Sequence, residues 1–192
     1  MAAAAIRRED EAERLYAYLM AAAAGDGNHH VVASLYATWA TGGGALPDWL
    51  GLTPATLREM LTELFPTTRL GRVPNPGRPP PPGRDDEVED LVHLLLAHRA
   101  GVSPTEVGLA RIVAVACLGD DHLWQDLGLW SRADLSELMQ RNFPALAARN
   151  VRDMKWKRFL YKQLCETEGL RVCRAPSCDA CGDHHVCFGP EE

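Results

Sequence analysis

An internal repeat is the feature that most constrains the fold of this 192-residue chain. Residues 33–52 align without gaps on residues 110–129, and residues 11–21 resemble residues 87–97 further upstream. After one inserted residue the similarity resumes, and it ends on Phe65-Pro66 in the first copy and Phe143-Pro144 in the second. Because three segments share their spacing, the pattern favours a duplicated unit over a chance similarity between helical sequences.

Each copy has the sequence pattern of roughly three helices. In the second copy, apolar residues recur at helical spacing between residues 86 and 99. Residues 103–106, Ser-Pro-Thr-Glu, form a capping box for the next helix, which we expect to stop near Gly119. Ser131 is placed to cap the third helix, and Thr53-Pro54 takes that part in the first copy. No segment alternates apolar and polar residues as a half-buried strand does, so the sequence predicts an all-α protein.

The chain is predicted to have four parts. The first helical repeat covers residues 1–73, and a proline-rich linker over residues 74–84 separates it from the second repeat, residues 85–149. The linker has no apolar side chain to bury, so we expect an exposed segment with polyproline II character or disorder. Residues 150–192 form the last part, a long final helix followed by a C-terminal cysteine-rich loop.

The final helix is predicted to begin at Asn150 as its cap and to continue through Glu168, ending at Gly169. It is the most basic stretch of an acidic protein. Its cationic residues are Arg152, Lys155, Lys157, Arg158 and Lys162. Such a run is either a solvated helix face or a docking surface for an acidic partner.

Four of the six cysteines lie close together near the C-terminus, spaced C-x4-C-x2-C-x5-C. They are Cys173, Cys178, Cys181 and Cys187. Thiolates are soft ligands that select zinc, copper(I) or iron–sulfur centres. The first three reproduce the spacing of plant-type 2Fe–2S ferredoxins, but the fourth follows much sooner than in those proteins. Disulfides would need an oxidising compartment. The spacing therefore predicts a metal centre held by these four thiolates, and it leaves a zinc knuckle and an iron–sulfur centre both open.

Other side chains near the cysteines are candidate ligands. His184, His185, Asp179 and Asp183 lie inside the cysteine segment. Imidazole or carboxylate groups could complete the coordination of a metal that takes more than thiolates, and the alternative is that they are exposed loop residues without a metal role. His122 is a candidate second-site ligand or a helix cap.

The two remaining cysteines are expected to have structural roles. Cys165 lies on the apolar side of the final helix, where packing is expected instead of metal ligation. Cys117 aligns with Ala40 of the first copy, which predicts a small buried position.

Composition excludes several functional classes. The formal net charge of −6 argues against a nucleic-acid partner, and no apolar run approaches the ~18 residues that a membrane-spanning helix needs. The N-terminal residues lack the features of a secretory signal, so we expect a cytoplasmic protein with reduced thiols. Catalytic motifs such as H-E-x-x-H or a phosphate-binding loop are not found, and the chain is not expected to be an enzyme.

Two segments resemble one known family. Residues 154–166 followed by the cysteine arrangement and Cys187-Phe188-Gly189 closely resemble the C-terminal part of the NifQ family of nitrogen-fixation proteins. Residues 119–129, Gly-Asp-Asp-His-Leu-Trp-Gln-Asp-Leu-Gly-Leu, look like a second signature of that family. We recognise the resemblance over roughly the C-terminal 40% of the chain and find no matching motif in the N-terminal half.

This resemblance implies a function. It implies a carrier of a molybdenum–iron–sulfur cluster, of Mo-3Fe-4S type or a 3Fe-4S or 4Fe-4S cluster without molybdenum, which donates molybdenum to the assembly of the nitrogenase iron–molybdenum cofactor. By position, the cluster ligands of the family correspond to Cys173, Cys178, Cys181 and Cys187. The implied partners are the cofactor scaffold complex, the nitrogenase iron protein, and molybdate or another molybdenum source. The alternatives are a structural zinc-knuckle interaction module and a simple electron-transfer iron–sulfur protein.

Overall fold

The structure, a computed structural model, describes residues 2–25, 27–69, 77–167 and 184–188, with side chains from residue 8 onward apart from that of His184. Within these ranges the chain forms helices, turns and loops and no strand, which confirms the predicted all-α class. None of the described helices combines the length and the apolar character needed to cross a bilayer. In chain order the helices are α1 (Ala2–Met20), α2 (His29–Ala40), α3 (Pro54–Leu64), α4 (Asp85–Ala97), α5 (Thr105–Ala116), α6 (Leu123–Leu127), α7 (Arg132–Asn142), α8 (Pro144–Ala147), α9 (Trp156–Thr167) and α10 (His184–Cys187). A short 3₁₀ segment, Asp48–Gly51, lies between α2 and α3.

Two of the predicted helix caps are present. The Thr53 hydroxyl accepts the Thr56 N–H at 3.1 Å at the start of α3, and the Ser131 hydroxyl accepts the Asp134 N–H at 3.1 Å at the start of α7. Each cap satisfies a backbone donor that has no partner within its helix. The caps predicted from the sequence at these two helices are therefore confirmed.

The capping box predicted before α5 is present only in its glutamate half. Glu106 accepts the Ser103 N–H, but the Glu106 N–H bonds to the Ser103 carbonyl at 3.3 Å, and α5 begins at Thr105 with Pro104 as its cap residue. The carboxylate of Glu106, which is 1% exposed, accepts the backbone N–H groups of Gly101, Val102 and Ser103 at 2.8–3.0 Å. The Ser103 hydroxyl accepts the Thr105 N–H at 3.1 Å. This buried carboxylate thus satisfies the donors of the whole turn that precedes α5.

The bounds of the helices follow the proposed repeat. α2 and α5 are offset by 76 residues, and α3 and α7 by 78. α3 and α7 also end on equivalent caps, Phe65 and Phe143, whose φ angles are −134° and −132°. The duplication itself, and the division of the chain into the four predicted parts, stay predictions.

Both copies contribute to one hydrophobic core. The buried apolar cluster takes residues from α1 through α9 and also includes Phe188. A buried polar link joins the copies, because the Asn28 amide donates to the Thr105 hydroxyl at 2.9 Å and exchanges hydrogen bonds with the Asn142 amide at 2.8 and 2.9 Å. Three buried polar side chains from different segments therefore satisfy one another inside the core.

The described part of the predicted linker is largely exposed, as expected, and Arg78 ties it to the helical body. The backbone of Arg78 donates to the Asp48 carboxylate at 2.8 Å and accepts the Asp48 N–H at 2.7 Å. The Arg78 guanidinium donates to the Gly44 carbonyl at 2.7 Å. The segment is therefore tied to the first copy at Arg78.

The start of the final helix differs from the prediction. α9 begins at Trp156, not after Asn150. The Asn150 side chain instead closes a turn by accepting the Met154 N–H at 2.8 Å and donating to the Met154 carbonyl at 2.9 Å. Asp153, within this turn, has a φ of 53°, which interrupts a right-handed helix. The predicted end of the helix, Glu168 and Gly169, lies outside the described residues.

Candidate functional site

The predicted metal ligands lie only partly within the described residues. Cys187 is half-buried on α10, where His185 is exposed and only the backbone of His184 is described. Within the described ranges, no three His, Cys, Asp or Glu side chains are arranged to hold a metal ion. The other ligands predicted within the cysteine segment lie outside these ranges; they are Cys173, Cys178, Cys181, Asp179 and Asp183. The four-cysteine centre therefore stays a prediction.

The segment that carries Cys187 is anchored on the helical body. Phe188 is 9% exposed and belongs to the hydrophobic core. The Lys155 N–H donates to the Cys187 carbonyl at 2.8 Å. The Arg152 guanidinium carbon lies 5.3 Å from the centroid of the Phe188 ring, within cation–π distance. Because Lys155 directly precedes α9, the chain that leaves the C-terminal end of this helix has returned to its N-terminal end by Cys187.

A cleft of about 520 Å³ lies beside this anchor. The loop between α5 and α6 and the start of α9 both line it, and these two parts are called the loop wall and the α9 wall. The lining residues are Gly119, Asp120, Asp121, His122, Leu123, Gln125, Lys155, Lys157, Arg158 and Val186. The cleft therefore brings His122 and the residue next to Cys187 to the same depression of the surface.

His122 has a defined structural role in this wall. It is the N-cap residue of α6, and its backbone N–H donates to the Gln125 side-chain oxygen at 3.2 Å. It is half-buried and lines the cleft. Of the two roles predicted for His122, the structure shows the helix cap, and a ligand role stays a prediction.

A buried ion pair fixes the floor of the cleft. The Lys157 ammonium donates to the Asp126 carboxylate and, at 2.8 Å, to the Gly119 carbonyl, and only 17% of the Lys157 side chain and 3% of the Asp126 side chain are exposed. Burial raises the pKa of Asp126, and the hydrogen bond from Lys157 opposes that rise. A Cβ atom at Gly119 would lie 2.4 Å from the Asp126 carboxyl carbon, so glycine is the residue that fits there. The pair thereby locks the loop between α5 and α6 onto α9.

This pair corrects the prediction for the basic stretch. Lys157 is not part of a solvated face or of a docking surface, because its charge is buried against Asp126. Lys162 lies 3.6 Å from Glu166, one turn further along α9. Lys155 and Arg158 have no ion-pair partner among the described residues, and both line the cleft.

Cys117 lies in the core, which confirms the prediction of a small buried position. It is 4% exposed, and burial raises its pKa to about 12, so the thiol is protonated at neutral pH. A neutral buried thiol such as that of Cys117 contributes packing and no thiolate chemistry.

The Tyr161 hydroxyl donates to the Glu87 carboxylate and joins α9 to α4. The hydrogen bond from Arg84 holds the pKa of Glu87 below its usual value.

The anchor predicts a change in thiol exposure. In metal-free protein, Phe188→Ala should raise the alkylation rate of Cys187 about tenfold or more, because losing a buried phenylalanine makes local opening easier by roughly 1.5–3 kcal/mol. Mass spectrometry of the C-terminal peptides measures labelling at Cys187 separately from the other cysteines. Val186→Ala, at a neighbouring residue that is 37% exposed, is the matched control and should leave the rate nearly unchanged. Equal rates in wild type and Phe188→Ala would show that Phe188 does not hold this segment.

Over its described residues the chain is an all-helical protein in which residues 184–188, including Cys187, lie beside a charged cleft on the helical body. The sequence model of the NifQ family matches residues 31–189, so the chain belongs to the NifQ family.

Three relatives show how far the similarity extends. Protein NifQ of Azotobacter vinelandii is 59% identical over 108 residues, which cover 56% of this chain and 55% of that protein. The Protein NifQ homolog of Sinorhizobium fredii is 41% identical over 147 residues, 74% of this chain and 61% of the relative. Protein NifQ of Rhodobacter capsulatus is 38% identical over 153 residues, 79% and 82% of the two chains. The chain thus spans only 55% and 61% of the length of the first two. No solved structure shows a significant match.

Two parts of the site were not predicted from the sequence. One is the pair of Asp126 and Lys157, which are 31 residues apart in the chain. The other is the anchor at Phe188. A signal for the pair was present in the segment 119–129, where Gly119 lies past the end of α5 and Asp126 is a charged residue among apolar ones. A carboxylate among apolar residues indicates burial, and a buried carboxylate needs a cation or hydrogen-bond donors beside it.

Proposed function

We propose that this protein is a non-enzymatic carrier of a molybdenum–iron–sulfur cluster and that it donates molybdenum to the assembly of the nitrogenase iron–molybdenum cofactor. The observation that carries this proposal is the match to the NifQ family over residues 31–189, a range that includes all four cysteines of the C-x4-C-x2-C-x5-C arrangement. Thiolates are the ligands that iron–sulfur clusters use in proteins.

The geometry around Cys187 supports this role. A cargo cluster must be held firmly enough to survive transport and must still be reachable by an acceptor. Cys187 is half-buried, is fixed through its own carbonyl and through Phe188, and adjoins the open cleft through Val186. The fourth thiolate would therefore be held by the helical body, on a side of the protein that small molecules can reach.

Partners follow from the same resemblance. We propose the cofactor scaffold complex and the nitrogenase iron protein as the proteins that this carrier meets. Lys155, which directly precedes α9, and Arg158 on α9 are available to an acidic partner or ligand, since Lys157 and Lys162 are paired.

A transfer experiment tests the proposal. The protein is loaded with iron, sulfide and molybdenum without oxygen and is mixed with the scaffold complex and the iron protein. The carrier and the scaffold complex are then separated by size. We expect molybdenum to leave the carrier and to appear with the scaffold complex. Molybdenum that stays on the carrier while electrons are exchanged with the acceptor would favour the simple electron-transfer alternative.

A further inference from the structure

The two walls of the cleft carry opposite charges that differ in burial. Asp120 and Asp121 on the loop wall are exposed, so water and salt screen their carboxylates. On the α9 wall, Lys157 is neutralised by Asp126, but Lys155 is half-buried and has no ion-pair partner among the described residues. A partly desolvated cation without a counter-charge is costly, so this wall favours an anion.

Arg158 and the helix itself add to the positive potential of this wall. Arg158, an exposed residue, also lines the cleft and is without an ion-pair partner within the described part of the chain. Both cations lie in or next to the first turn of α9, a helix of 12 residues. The N–H groups of a first helical turn lack intrahelical partners, and the helix dipole places about half a positive charge there. Three sources of positive potential therefore converge on one wall.

The size of the cleft and the charge of the chain limit what can bind. A long polyanion would be repelled by the net charge of −6 and by the carboxylates of Asp120 and Asp121 on the loop wall. A small dianion needs only the two cations of the α9 wall, and a cleft of about 520 Å³ holds it with room for water. Guanidinium and ammonium groups are the side chains that best bind the oxygens of such an anion.

We propose that the cleft binds a small tetrahedral oxyanion, of the class of molybdate, sulfate and phosphate, through Lys155 and Arg158. The biological role of this site rests on the proposed function. An oxyanion bound there would lie beside the segment that carries Cys187. Molybdenum arriving as molybdate would then be captured next to the fourth cysteine of the carrier.

Calorimetric titration of metal-free protein with molybdate, sulfate and phosphate tests this site. Wild type should bind, and Lys155→Ala combined with Arg158→Ala should weaken binding about tenfold or more, because two charge-assisted contacts are lost. Lys155→Arg should keep most of the affinity. Lys162→Ala is the matched control, since Lys162 lies on the same helix and pairs with Glu166. Circular dichroism checks that each variant is folded.

The outcomes separate this site from the proposed function. Tighter binding of molybdate than of sulfate and phosphate identifies the cleft as a molybdenum entry site, and equal binding of all three identifies a general oxyanion site. Failure of wild type to bind any of the three, or equal affinity in wild type and the double variant, would overturn the proposal. Binding of Mg²⁺ that is lost in Asp120→Asn with Asp121→Asn, in place of oxyanion binding, would overturn it too. A protein that carries zinc in its cysteine centre would contradict the proposed function and leave these titrations unaffected.

Discussion

Replacing Lys157 by methionine is expected to destabilise the protein by about 3–5 kcal/mol, because it leaves the buried Asp126 carboxylate without its cation. For a chain of this length that loss corresponds to a melting temperature lower by about 10 °C. Methionine keeps much of the packing of the lysine stem, so the effect reports the charge. Thermal unfolding followed by circular dichroism measures it. Lys162→Met is the control on the same helix, and its surface pair with Glu166 should contribute no more than about 0.5 kcal/mol.

The destabilisation should also depend on pH. Burial already raises the pKa of Asp126, and without the ammonium the folded-state pKa rises further. A raised folded-state pKa means that folding takes up a proton. The loss of folding stability is therefore largest above that pKa, and it shrinks as the pH falls toward the ordinary pKa of a carboxyl group. The difference in stability between Lys157→Met and wild type should thus be smaller at about pH 5 than at about pH 8. Adding Asp126→Asn should recover part of the stability. A Lys157→Met protein that melts like Lys162→Met at both pH values would contradict the buried pair.

Single replacement of Cys173, Cys178 or Cys181 by alanine should remove most of the bound iron and sulfide, since each thiolate holds one iron of the proposed cluster. Cys187→Ser should behave differently, retaining iron and sulfide while losing molybdenum preferentially. A cluster with three irons and one molybdenum needs one protein thiolate per iron, which leaves one cysteine over, and Cys187 adjoins the cleft through Val186. Iron, sulfide and molybdenum contents of protein purified without oxygen measure both effects.

Cys117→Ala is the matched control for these variants. Cys117 is buried and protonated, so its removal should leave the metal content unchanged. A folded Cys117→Ala protein that has lost its iron would place the site elsewhere. The double change His184→Ala with His185→Ala should lower the molybdenum content without lowering the iron content. If the iron-to-molybdenum ratio is unchanged both in this double variant and in Cys187→Ser, these residues do not hold the molybdenum of the cluster.

Local features of the fold were predictable because their causes are local. Thr53 and Ser131 each bond to an N–H three residues further on, so a few letters of sequence determine the cap. The same local logic misplaced the start of α9. Asn150 looked like a helix cap, but its side chain closes a turn onto Met154 that the sequence pattern does not distinguish from a first helical turn.

Features that depend on distant residues were not predictable. Lys157 looks in the sequence like any lysine of a basic run, and only the packing of α9 against the loop before α6 shows that its charge is buried on Asp126. The contact of the segment 184–188 with Lys155 was not predictable for the same reason, since nothing near Phe188 in the sequence specifies where its ring is buried. The four-cysteine spacing predicts a metal centre without fixing which metal it holds, because a short thiolate loop suits zinc as well as iron.

The metal content of wild-type protein purified without oxygen tests the central proposal most directly. Elemental analysis together with an acid-labile sulfide assay distinguishes a molybdenum–iron–sulfur cargo from a structural zinc site in one preparation. We expect iron, sulfide and molybdenum in the same protein, in amounts that fall together when Cys173, Cys178 or Cys181 is replaced. Stoichiometric zinc with no sulfide would contradict it.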